Sequence, residues 1–174
     1  MLTIPNPLHP AVVHFPIALA VLAPVVAIAA FGAIRAGWIP ARVWIAVVVL
    51  QAVLVGSALL AIETGEDQEE KVEDVVAERY IDAHADAAER FLYVAIGAAL
   101  VSATGLLRGG RGGTGRAVTV AAGLAVLAAG VAVGHSGGEL VYKYGAARAY
   151  TTETQPPPAA EADRRGSRPR ETDD

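Results

Sequence analysis

The chain has no cysteine. That removes disulfides, thiolate metal sites, cysteine-held iron–sulfur clusters and the C-x-x-C-H attachment of c-type heme. Charge is also scarce: 18% of the 174 residues are Asp, Glu, Lys or Arg, against about 25% in an ordinary soluble domain. It is missing in blocks. No charged residue occurs from Met1 to Ile34, and charge-free runs recur over 43–62, 91–107 and 117–138. Each run approaches the roughly 20 apolar residues that cross a ~30 Å hydrocarbon core. None of the runs holds an ionisable side chain at mid-depth, which argues against a pump or proton-coupled transporter. The chain also has no serine-nucleophile motif and no HExxH helix, so hydrolase chemistry has no footing. No positive n-region precedes the first run, which therefore reads as a retained helix rather than a signal peptide.

What is there predicts an all-α, integral membrane four-helix bundle of up-down-up-down topology over residues 1–150. Its spans fall near 11–34, 43–62, 88–107 and 117–135, and a polar, Pro-rich tail over 151–174 reads as disordered. Between spans two and three, "DQEEKVEDVVAERYIDAH" places Val72, Val76, Tyr80 and His84 at four-residue spacing. That spacing predicts an amphipathic outer helix running straight into span three, with Gly65 closing span two. Pro16 and Pro24 are expected to shape the first span. Gly130, Gly134 and Gly138 form a small-xxx-small ladder that lets a neighbour approach closely. Trp38 and Trp44 at one level, and Tyr142, Tyr144 and Tyr150 at the other, are expected as aromatic belts, with Lys143 snorkelling to the headgroups.

Charge in the connections orients the bundle. The first (Arg35, Arg42) and third (Arg108, Arg111, Arg116) hold bases and no acid, whereas residues 63–89 hold eleven acids against Lys71 and Arg79. Basic short loops face the cytoplasm. The expectation is a multi-pass cell-membrane protein with both termini and the acidic segment outside.

That topology brings the four histidines to one side. His9 and His14 open span one, His84 precedes span three and His135 ends span four, with Glu63 and Asp67 at the end of span two. Three readings stay open. Two neutral imidazoles on facing helices are the axial set of a b-type heme, with His14 paired to His84 or His135. His14, His84 and His135 with Glu63 or Asp67 are a donor set for one Zn, Cu or Fe ion. Alternatively the imidazoles cap helix ends in a scaffold or assembly subunit without cofactor. His9 is the poorest ligand candidate, because Pro10 leaves it near the helix start. The expected partners are the lipid bilayer and, for a redox role, a soluble protein outside the membrane; nothing points to nucleic acid, and self-association is left open.

The set "LHPAVVHFPIAL", "ETGED", His84 and "GHSGGELVYKYG" resembles the bacterial and archaeal membrane family known as domain of unknown function 2231, over roughly residues 5–150. The resemblance implies a four-helix membrane protein. Relatives joined to cytochrome c-like or Rieske-type domains imply a redox setting, with His9, His14, His84 and His135 as the family's polar signature. The tail has no Cys and no ligand pattern, so the resemblance implies a redox partner on a separate protein.

Overall fold

The computed structural model describes residues 7–151, all of whose regular elements are helices. α1 (His9–Val12) and α2 (His14–Arg35) make up the first span. A 3-10 turn over Ala41–Trp44 leads into α3 (Ile45–Glu66). A short α4 (Glu69–Glu73) precedes α5 (Glu78–Thr104), then come α6 (Gly110–Tyr142) and a final turn, α7 (Arg148–Thr151). Four stretches, His9–Arg35, Ala41–Glu66, Glu78–Thr104 and Gly110–Tyr142, are long and apolar enough to cross a membrane. The expected tail lies, beyond Thr151, outside the described residues.

The four long helices form an antiparallel ring in which α2 packs on α3, α3 on α5, α5 on α6, and α6 back on α2. One end of the bundle carries the basic turns, where Gly37 and Gly109 adopt the left-handed backbone (φ 73° and 65°). The other carries the acidic segment and the histidines. α6 runs past its expected span at both ends, whereas α5 starts earlier, at Glu78, and stops at Thr104, short of the expected 107.

The middle of the ring is built from small residues around a few large ones. Ala20, Ala58, Ala95 and Ala98 surround Leu54, Phe91 and Val126. α6 approaches its neighbours through glycines seven residues apart. A Cβ on Gly123 would stand 3.0 Å from Pro24 Cβ, on Gly130 3.3 Å from Ala20 Cβ, and on Gly137 3.0 Å from His84 Cε1. Seven residues drift only ~20° around a straight helix, so all three glycines stay on the packed face. Four-residue steps drift about 40°, and of the expected ladder only Gly130 meets a neighbour; Gly134 and Gly138 have nothing within 4 Å.

Three other expectations change. Trp44 is fully buried instead of lying at the membrane surface, with its indole N–H donating to the Ser102 carbonyl (2.9 Å). Trp38, by contrast, is 83% exposed. α3 runs through Gly65 to Glu66, so Gly65 does not end that span. The amphipathic segment is one helix only from Glu78 onward. Ala77 is extended (ψ 130°) and breaks it from α4, which lets Val76 fold inward against Ile81, Leu140 and Ala146. Gln51, mid-bundle on α3, is fully buried, and neither amide atom meets a protein partner among the described residues. Such an amide costs about 1–3 kcal/mol unless a buried water satisfies it.

Glycines on the two faces of α6 should respond oppositely. At Gly115 an added Cβ would fall 2.7 Å from the Gly105 amide nitrogen, so Gly115→Ala should cost about 1–3 kcal/mol. Gly134→Ala, in open space, should stabilise by about 0.5–1 kcal/mol through helix propensity. Unfolding of the two variants in detergent micelles measures this; equal effects would contradict the packing described.

Candidate functional site: a pair of anchored imidazoles

His9 opens α1, which packs on α3. Val13 joins α1 to α2 with helical backbone angles (φ −59°, ψ −21°), and His9 faces the end of α3, where its Nδ1–H donates to the Ala61 carbonyl (2.9 Å). The Thr64 hydroxyl oxygen stands 3.4 Å from the same nitrogen and sends its own proton to the α3 backbone. Gly65 makes room for the ring, since a Cβ there would lie 3.1 Å from His9 Cε1.

His84 lies across the bundle on α5, three residues past Ile81 and seven before Phe91, between the apolar cap and the central core. Its Nδ1 is 2.9 Å from the Ser136 hydroxyl of α6. The same hydroxyl stands 3.0 Å from the Val133 carbonyl, so it can accept from His84 Nδ1–H while donating there. The Ala61 carbonyl only accepts, which sets neutral His9 in the Nδ1–H tautomer, and the Ser136 contact is compatible with the same form at His84. In that form each Nε2 keeps its lone pair, and neither Nε2 is hydrogen-bonded among the described residues. The two half-buried rings stand 6.4 Å apart, centre to centre, and are nearly perpendicular at 85°.

Above the pair, Val76, Ile81, Leu140 and Ala146 form an apolar cap. Tyr80 stacks on Tyr144 beside it (3.7 Å, 15°), and the Tyr150 hydroxyl donates to Gln68 (2.9 Å). Lys143, expected to snorkel, pairs with Glu139 at 2.9 Å. That hydrogen-bonded carboxylate raises the Lys143 ammonium pKa above its ordinary value.

A family model described as predicted membrane protein (DUF2231) matches residues 5–149. The chain belongs to this family. No curated protein and no solved structure matches it.

In this DUF2231 protein the histidines divide into two pairs. His9 and His84 converge, whereas His14 and His135 are exposed on the outside of the bundle, as is Glu63. Five helical residues carry His14 about 140° around the axis from His9, so the two cannot share a site. The expected set of His14, His84, His135 and Glu63 is not assembled, and neither is one including Asp67. Among the described residues no group of three or more His, Asp or Glu side chains is placed to hold a metal ion. His9 stands at the start of α1, as Pro10 leads one to expect; what the sequence does not show is that this first turn packs on α3. Sequence reading also passed over Ser136 and Gly137, although both stand in "GHSGG" beside His135.

The tautomers are open to a direct test. Long-range nitrogen NMR of the imidazoles under mildly alkaline conditions should show the Nδ1–H form at both His9 and His84. Ser136→Ala should release His84 to a mixture of tautomers and leave His9 unchanged; an unaltered His84 signal would refute the Ser136 anchor.

Proposed function

We propose that this membrane protein is an electron-transfer component in which His9 and His84 would together hold one b-type heme. The observation that supports the reading is the paired anchoring: two imidazoles on different helices, at one end of the bundle, each held by Nδ1 and each with Nε2 free. Ligating histidines characteristically give their other ring nitrogen to a carbonyl or similar partner, which fixes the tautomer and orientation. The ring centres stand 6.4 Å apart, within reach of one shared metal atom. Two neutral imidazoles are a donor set that would suit a b-type heme. The set fits a mononuclear zinc site less well, because such sites take three or four protein ligands.

A b-type heme bound there would supply a one-electron couple near the bundle surface. The chain's own residues do the rest. The Ala61 carbonyl and Ser136 hydroxyl orient the two imidazoles. Gly65 and Gly137 leave the rings space, and the Val76–Ile81–Leu140–Ala146 cap limits access of water. His14 and His135 lie outside this arrangement and take no part in it. The acidic segment over 63–89 surrounds the same end, so electrons would pass to a separate soluble protein docking there. The basic turns at the opposite end support a cytoplasmic position for that end, which would put both termini and the histidine pair on the outer side of the cell membrane.

Protein purified with heme supplied during expression should show a Soret band and a low-spin, bis-imidazole spectrum on reduction. His9→Ala and His84→Ala should each remove it while His14→Ala and His135→Ala keep it, with helicity checked by circular dichroism. Wild-type protein that stays colourless after heme loading would end this reading and favour a cofactor-free scaffold. Orientation can be tested separately, since the chain has no native cysteine. In intact cells, Glu70→Cys should react with an impermeant maleimide and Arg111→Cys should react only after lysis; the reverse pattern would invert the topology.

A further inference from the structure

The end of the bundle opposite the histidines holds a buried cation with no counter-ion among the described residues. Arg116, two turns into α6, is only 8% exposed, and its Nε is buried without a hydrogen-bond partner. The guanidinium carbon stands 5.9 Å from the centre of the Trp44 ring, and the Trp44 N–H is itself committed to Ser102. An aromatic face attracts a cation but does not neutralise it, and a buried charge left unpaired is strongly unfavourable. No acid among the described residues is placed to help. Among the described residues every Asp and Glu lies within 63–89 or at Glu139, and Glu63, Glu89 and Glu139 are all toward the histidine end of their helices. No hydrogen bond or ion pair from Arg116 to another described residue occurs. Arg35, Arg42, Arg108 and Arg111 add only positive charge at the same end.

None of the described residues supplies an anion to Arg116, and the surrounding bilayer is a source of one. In a membrane, the acidic groups available at a helix end are the phosphates of anionic phospholipids, and basic sites between helices take such headgroups. Arginine suits this ligand because its planar fork matches phosphate oxygens two at a time. A groove of about 620 Å³ between α5 and α6 supplies the second part of a lipid site, on the adjoining face of α6 and including Gly115, the residue before Arg116. Val101, Leu107 and Val118 give it an apolar wall, and Thr104, Arg111 and Thr114 give it polar groups.

From the unpaired burial of Arg116 against Trp44 beside this groove, we propose that the basic end of the bundle is a binding site for an anionic phospholipid, with Arg116 holding the headgroup phosphate and the groove seating an acyl chain. The site is separate from the histidine pair, and the proposal does not depend on any cofactor being bound there.

Full-length protein in neutral detergent should be titrated with phosphatidylglycerol, phosphatidylcholine or inorganic phosphate and followed by thermal unfolding and native mass spectrometry. Phosphatidylglycerol should raise the midpoint of wild-type protein by ~3 °C or more and remain bound in the mass spectrum, while phosphatidylcholine does neither. Arg116→Gln should lose both effects, whereas Arg35→Gln, at an exposed position outside the site, should keep them. Equal responses to the two lipids, or a phosphatidylglycerol response that survives in Arg116→Gln, would overturn the proposal. A full shift with inorganic phosphate alone would overturn the lipid assignment. Should Arg116→Gln fail to fold, lipid retention by the wild type decides: selective retention of phosphatidylglycerol supports the site, and none refutes it.

Discussion

Close approach between α6 and its neighbours is the constraint on which the rest of the bundle depends. Inside a bilayer no hydrophobic drive distinguishes a neighbouring helix from lipid tails, so association relies on backbone proximity and dispersion contact. α6 provides this through Gly123, Gly130 and Gly137, which meet Pro24, Ala20 with Phe91, and His84 in turn. Pro24 is tolerated within α2 because the contact surface there is the proline ring against a bare glycine backbone. The same stripe that seats the central core thus ends on the imidazole of His84, so packing of the bundle and placement of the histidine pair are one arrangement.

The two ends differ in how polar groups are satisfied. At the histidine end, side chains are tied across elements: His9 Nδ1 to α3, His84 Nδ1 to α6, and the Tyr150 hydroxyl to Gln68. These bonds cross between elements and hold side chains in fixed orientations, as a ligand site requires. At the basic end Trp44 is tied to Ser102, while Arg116 keeps a buried nitrogen without a partner. The first end is organised by the chain alone. The second lacks an anion among the described residues, which is the physical difference between the two proposals.

Much of the architecture was legible before any coordinates. Charge-free runs announce four spans because a charge in hydrocarbon is too costly to hide, and the count and helical class follow directly. Continuity of α5 from Glu78 into the membrane was legible from the absence of any breaker after that point. Less legible were the features set by which face of a helix meets which neighbour. Trp44 has the composition of a belt residue and the position of a core residue. Gly134 and Gly138 have the spacing of a packing motif and open space around them. Val76 lies on a regular four-residue stripe, yet the chain bends at Ala77 because burial against Leu140 and Ala146 outweighs continuing the helix.

The candidate site shows the same division. The sequence by itself determined that this is a four-helix membrane bundle with all four histidines at one end, since span number, alternation and polarity are one-dimensional properties. It could not determine which histidines meet, because that depends on rotation about each helix axis. A rotation of about 140° separates His9 from His14, and only the packing of α1 on α3 decides that His9 faces inward. Tertiary structure therefore selected His9 and His84, supplied Ala61 and Ser136 as their anchors, and turned His14 and His135 outward.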